Sequence, residues 1–219
     1  DHPHTEPVDL MEAWVERALQ RWPNVPALYG WLQLDRRGRW RIRGELITRP
    51  QIIDTIARNY GADARGCWYF QNGPQRGYME LEYAPLVLFA AAEGDTLHTH
   101  IGLDLLAPGA AYLDEHGALV IVSEHGAGVI ADRDLDWVLA RLSAPEALED
   151  ALAAALDLSS GTATALVLQL GTHALPVQRL DFAAMPATLG FVRRPQPEDA
   201  QVAETKAPPS GDGGAEPAH

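Results

Sequence analysis

The residues most like a metal site are His98-Thr99-His100. Alternate residues of an extended strand share a face, so both imidazoles could grip one divalent cation. A third ligand would have to come from elsewhere in the chain, and Glu124, His125 and His116 are the candidates. That arrangement would support a metal-dependent enzyme, although the same spacing occurs in exposed strand histidines. A second group is basic. Residues 35 to 76 carry nine arginines against Asp35, Glu45, Asp54 and Asp63. Within it Arg39, Arg41 and Arg43 alternate with Trp40 and Ile42, which gives a strand one charged face and one apolar face. Such a face is either a solvated sheet surface or a wall for an anion. A third group is the polar run Gln71-Asn72-Gly73-Pro74-Gln75-Arg76 between two expected strands. Asn72-Gly73 favours a tight turn, Gln71 and Gln75 offer amide donors, and Arg76 can hold a carboxylate or phosphate bidentately.

Other chemistries lack their residues. There is no Gly-x-Ser-x-Gly elbow, no Gly-x-Gly-x-x-Gly after a strand and no phosphate-binding Gly-x-x-x-x-Gly-Lys-Ser/Thr. Glu80, Glu82 and Glu93 could form an acid–base pair, but glutamates on a strand face are usually only solvated. The single cysteine, Cys67, lies in an aromatic strand with no base beside it in the sequence, and it rules out an internal disulfide.

The elements that carry these groups follow from periodicity. Leu10, Met11, Trp14, Val15, Ala18, Leu19 and Trp22 recur at helical spacing, and Pro23 and Pro26 end the pattern. The stretch Tyr29–Glu45 reads as strand, turn, strand around Asp35-Arg36-Arg37-Gly38. The outline returns at Asp63-Ala64-Arg65-Gly66 and at Asp114-Glu115-His116-Gly117, each followed by apolar residues. Asp-x-x-Gly is a favoured turn in its own right, so either a common turn or a repeated unit accounts for it. Pro50 to about Asn59 is an expected helix. Strands are expected at Cys67–Gln71, Gly77–Tyr83, Pro85–Ala91, Thr96–Ile101, Leu119–Ser123, Gly128–Ala131, Ala163–Leu170 and Gly171–Leu180. One helix should follow Asp132 and Asp134, and another should start at Ser143, with Glu146 completing a capping box.

The charge of −13 disfavours nucleic acid as a general partner, and no apolar run approaches the length of a membrane span. No signal-peptide pattern is visible, and a start at Asp1 without methionine suggests that a leading segment was removed or omitted. Proline, glycine, alanine and acidic residues dominate from Arg194 onward, a composition too poor in apolar side chains to order itself.

Trp31-Leu-Gln-Leu-Asp-Arg-Arg-Gly-Arg-Trp40, Gly44-Glu-Leu-Ile47, Ile52-Ile53, Asp63-Ala-Arg-Gly66-Cys-Trp-Tyr69 and Gly77-Tyr-Met-Glu-Leu-Glu-Tyr-Ala-Pro85 together resemble a family of uncharacterised proteobacterial proteins. Its members carry a strand–turn–strand with Asp-x-x-Gly-x-Trp, a Gly-x-x-Ile helix start and a later acid-x-Ala-Pro strand. The likeness covers residues 30–102 and weakens towards 140. It departs at Gln71–Arg76, where that family has a Thr-Pro-x-Glu-like loop. The resemblance implies two small α+β domains with repeated motifs and a role in ligand binding or signalling.

The expectation is therefore an α+β protein of the bacterial cytoplasm. Residues 1–26 form an arm and helix, 27–104 a first domain, 105–194 a second, and 195–219 a disordered tail. The leading function is a non-enzymatic binding or regulatory module for a small anionic ligand or a protein partner. Arg39, Arg41, Arg43, Gln71, Asn72, Gln75 and Arg76 would form its site. The alternatives are a metal-dependent enzyme using His98 and His100, and a structural subunit that docks through Leu10–Trp22. No nucleic acid, membrane or organic cofactor is expected.

Overall fold

The structure is a computed structural model that describes Ala13, Val15 and residues 17–198. The expected disordered tail lies almost wholly outside the described residues. So does the first half of the expected N-terminal helix, although Ala13, Val15 and residues 17–20 are helical.

The fold is α+β and is assembled from a repeated three-stranded meander. The first meander is β1 (Ala27–Leu34), β2 (Trp40–Ile42) and β3 (Glu45–Leu46). The second is β4 (Tyr60–Ala62), β5 (Trp68–Asn72) and β6 (Gln75–Leu81). Between them lies helix α1 (Pro50–Arg58), with proline in its first turn as expected and Ile56 buried beneath it. Two further strands, β7 (Leu86–Ala90) and β8 (Leu97–Thr99), precede the third meander. That meander is β9 (Ala110–Leu113), β10 (Leu119–Ser123) and β11 (Gly126–Ile130). In every copy an Asp-x-x-Gly turn joins the first two strands and a two-residue turn joins the last two.

The three Asp-x-x-Gly turns are the same structure. The aspartate Oδ1 accepts the backbone N–H two residues on, at 3.0, 2.9 and 2.9 Å for Asp35, Asp63 and Asp114. It also accepts the N–H four residues on, at 2.9, 3.0 and 2.8 Å. The glycine N–H donates to the aspartate carbonyl, and Gly38, Gly66 and Gly117 lie at φ +79, +82 and +89, a region that favours glycine. The repeated-unit reading of the sequence is the one that the backbone supports.

Parallel pairing of β1 with β6 joins the first two meanders into a six-stranded sheet ordered β3-β2-β1-β6-β5-β4. The second sheet adds β12 (Leu142–Ser143), β13 (Ala163–Leu170) and β14 (His173–Arg179) and is ordered β12-β13-β14-β9-β10-β11-β7-β8. The change from one sheet to the other falls between Leu81 and Leu86. The reason is visible in β7. Leu86 and Leu88 enter one core while Val87 and Phe89 face the other. A strand buried on both faces belongs inside a covered sheet, here beside β11.

The two cores make the molecule three layers deep. Leu32, Leu34, Trp40, Ile42, Met79 and Leu81 of the first sheet pack against Val87, Val120, Ala127 and Val129 of the second. The far face of the second sheet, including Leu119, Ile121, Leu168 and Val177, is covered by α2 (Leu135–Leu139) and α3 (Leu148–Asp157). Ser143 does not cap a helix. Its backbone pairs with Val167 in β12, so α3 begins later, at Leu148. A last helix, α4 (Met185–Leu189), ends at Gly190 in the left-handed region.

Candidate functional site

The sheet brings the two arginine-bearing stretches predicted from the sequence onto one surface. Across the first sheet Arg41 faces Gln33, Gln33 faces Glu80, Tyr69 faces Tyr78 and Gln71 faces Arg76. Strand alternation puts all of these on the outer face, opposite the buried Leu32, Ile42 and Met79. Arg39 and Arg41 both donate through Nε to Asp35 Oδ2, at 2.9 and 3.1 Å. Burial raises the Asp35 pKa, but the Arg39 backbone N–H and the two guanidinium groups outweigh it and hold the carboxyl below its usual range. Arg41 also borders a cleft of about 230 Å³ with Asp35, Glu80, Glu82 and Arg194.

Arg43 lies on the Trp31 ring, with Cζ 4.8 Å from its centroid, and Arg76 lies on Tyr69 at 4.2 Å. Between these pairs Tyr29 stacks on Tyr78 with centroids 4.7 Å apart. The amides of the predicted loop are committed to the fold. Gln71 Nε2 donates to the Gly73 and Gln75 carbonyls, and Gln75 Nε2 donates to those of Pro23 and Val25. Asn72 is exposed and pairs with Gln75 across the turn.

His98 and His100 have separate environments. His98 stacks on Phe89, with centroids 5.9 Å apart. His100 follows the end of β8, and its ring sits 4.9 Å from Trp40 and 5.8 Å from Tyr60. Its Nδ1 accepts the Val87 N–H at 3.1 Å, so the neutral ring carries its proton on Nε2, which is buried without a partner. Burial pulls this imidazole down to about 3. Two of the expected third ligands, Glu124 and His125, are engaged elsewhere. Glu124 accepts the Leu106 and Ala107 N–H groups, and His125 Nε2 contacts the Asp104 carbonyl. Among the described residues no group of three or more His, Cys, Asp or Glu is arranged to hold a metal ion.

A second arginine–aromatic site lies where the first Asp-x-x-Gly turn meets the second sheet. A cleft of about 390 Å³ is lined by Arg37, Phe89, Ala131, Asp132 and Arg133. The Arg133 guanidinium lies over the Phe89 ring at 4.5 Å, and Asp132 is neutralised by Arg36 at 3.1 Å. Arg37 is exposed, and among the described residues no ion pair engages it. Close approach of the layers depends on Gly38, where an added Cβ would lie 2.9 Å from His100 Cβ and 3.1 Å from the Phe89 ring. Sequence reasoning included Arg37 in the basic zone but did not select it. Nothing in the sequence pairs Arg37 with Phe89 and Arg133, which lie far along the chain.

Comparison with known proteins adds a family at this point. The chain belongs to the DUF2944 family. The family model, described as a protein of unknown function (DUF2946), matches residues 11–196. No curated protein matches the chain. Two solved structures are similar to it, both of DUF1285 family proteins. The one from Silicibacter pomeroyi DSS-3 has a TM-score of 0.48 at 15% identity, covering 73% of this chain and 85% of its own. The one from Shewanella baltica OS155 has a TM-score of 0.38 at 15% identity, covering 48% of this chain and 87% of its own. Within this family the protein is an α+β member of uncharacterised function. Among the described residues no helix is long and apolar enough to cross a membrane.

Proposed function

We propose that the protein is a non-enzymatic, cytoplasmic binding module with a regulatory role, and that its ligand is a small anion bearing a planar apolar part. The observation that carries this reading is the cleft at Arg37, Phe89 and Arg133. Arg37 supplies a cation from the first sheet, while the second supplies the Phe89 ring and Arg133, whose Nε side is paired with Asp134. The local carboxylates are already engaged, Asp132 by Arg36 and Asp134 by Arg133 and the Ala90 N–H. An anion held from both sides ties the two layers together, which links occupancy to the relative stability of the layers and supports a regulatory role.

The test is a thermal-shift series with benzoate, acetate and inorganic phosphate on the wild-type protein and on Arg37→Gln/Arg133→Gln. Benzoate is expected to raise the melting temperature more than acetate, and the double variant to lose that difference. Equal shifts in both proteins would overturn the assignment.

A further inference from the structure

The outer face of the first sheet carries a separate argument. Arg43 lies at φ +48 and is the one non-glycine residue at positive φ among the described residues. It occupies the two-residue turn Arg43-Gly44 between β2 and β3, a position where glycine or asparagine fits at lower cost. The two-residue hairpin asks for positive φ here, so it is the choice of arginine over glycine or asparagine, and not the φ itself, that calls for a side-chain reason. Arg43 is exposed and its guanidinium lies across Trp31. Arg76 repeats the arrangement on Tyr69. Elsewhere on the face Arg39 and Arg41 share the one carboxylate of Asp35, and Glu80 accepts only the neutral Gln33 amide, so two cations and two anions stand beside one another. Among the described residues no ion pair engages Arg43 or Arg76, and Arg76 hydrogen-bonds the Tyr78 side chain. Trp31 on β1 and Tyr69 on β5 are separated only by β6, so the strands that carry the two rings lie roughly 10 Å apart.

We propose that this face docks an acidic segment of a partner protein, with Arg43 on Trp31 and Arg76 on Tyr69 each taking one carboxylate. The charge pattern selects this occupant. Two cations without carboxylate partners, on a face whose other charges sum to zero, match a few carboxylates. A nucleic acid would extend its phosphates beyond the patch over a chain of net charge −13. Rings beneath the cations add contact area at little entropic cost.

The experiment is fluorescence anisotropy of a labelled twelve-residue peptide of alternating glutamate and alanine with the full chain. The matching lysine–alanine peptide and a twelve-nucleotide oligothymidylate serve as comparisons, and light scattering reports self-association. The glutamate peptide is expected to saturate and the lysine peptide not to. Arg43→Gly/Arg76→Gln should weaken binding at least about tenfold. Arg43→Gly alone should melt no lower than wild type, because glycine relieves the positive φ, so its loss of affinity does not reflect unfolding. Arg37→Gln/Arg133→Gln should bind the peptide as wild type does, which separates this face from the cleft. Undiminished peptide binding by Arg43→Gly/Arg76→Gln would overturn the proposal. So would tighter binding of the oligonucleotide, or a dimer abolished by Arg43→Gly.

Discussion

The first and third Asp-x-x-Gly turns share a backbone and differ in everything they support. At Asp114 the second carboxylate oxygen accepts the Tyr83 hydroxyl at 2.8 Å, and the whole side chain is buried. At Asp35 the same oxygen gathers Arg39 and Arg41 on a half-open surface. The residues between aspartate and glycine follow suit. Glu115 accepts the Phe182 N–H and closes the third turn onto the segment that leads into α4, while Arg36 and Arg37 reach from the first turn to a cleft on the other sheet. Aspartate and glycine set the conformation of the turn, and the two residues between them, together with what the turn lands on, set its use.

The landing sites also differ in chemistry, which makes acid the strongest way to break the comparison. The first turn rests on His100, a buried imidazole pulled down to about 3, and the third rests on Tyr83, whose hydroxyl burial pushes above its ordinary value. An unfolded histidine titrates near 6.5, so below that pH the unfolded chain takes up a proton that the folded one refuses. Stability is therefore intact above about pH 6.5 and falls with decreasing pH, by up to about 1.4 kcal/mol per unit. The expected loss is roughly 2 to 3 kcal/mol by pH 4.5 in chemical denaturation. His100→Gln should flatten that limb. Hydrogen exchange at pH 5 should expose the amides of residues 37–39 before those of 116–118, and the reverse order would refute the distinction.

Side-chain removal gives a smaller contrast of opposite sense. Asp114→Ala strands two backbone donors and a buried tyrosine hydroxyl, an expected cost of roughly 3 kcal/mol. Asp35→Ala strands the same two backbone donors, but on a more open surface, and the freed Arg39 and Arg41 turn to water, for about 1 to 2 kcal/mol. Equal costs would mean that burial of the turn does not matter. The glycines divide the second turn from the third most finely. An alanine Cβ at Gly66 would clash with the Gly190 carbonyl oxygen, in a segment held to the turn by the Val192 N–H donating to the Gly66 carbonyl, whereas at Gly117 nothing lies within 4 Å. Gly117→Ala should cost only the left-handed penalty of about 1 kcal/mol, and Gly66→Ala should cost more by forcing the chain end away. Urea midpoints of the two variants decide it.

These contrasts mark how far the sequence could be read. The α+β class, helix α1, most strands and the three turns were legible because each depends on neighbours in the chain: alternation of side chains, proline in a first turn, and an aspartate accepting from backbone two residues away. Arg39, Arg41, Arg43 and Arg76 were legible as candidates for the same reason, although not that they share one face. That depends on parallel pairing of β1 with β6, which joins residues nearly fifty positions apart.

The apolar Pro85–Ala91 run was recognised as a strand, yet its sheet was not, because a strand buried on both faces carries no alternation to assign it. His98-Thr99-His100 had metal-like spacing, but β8 ends at Thr99, so the two rings are not held by continuous strand alternation. Local sequence determined the turns and their charged residues through short-range hydrogen bonds and side-chain period. Tertiary packing alone decided which turn is buried, which arginines keep a free edge and where Arg37 meets Phe89 and Arg133, because those outcomes depend on contacts between segments that the chain itself holds far apart.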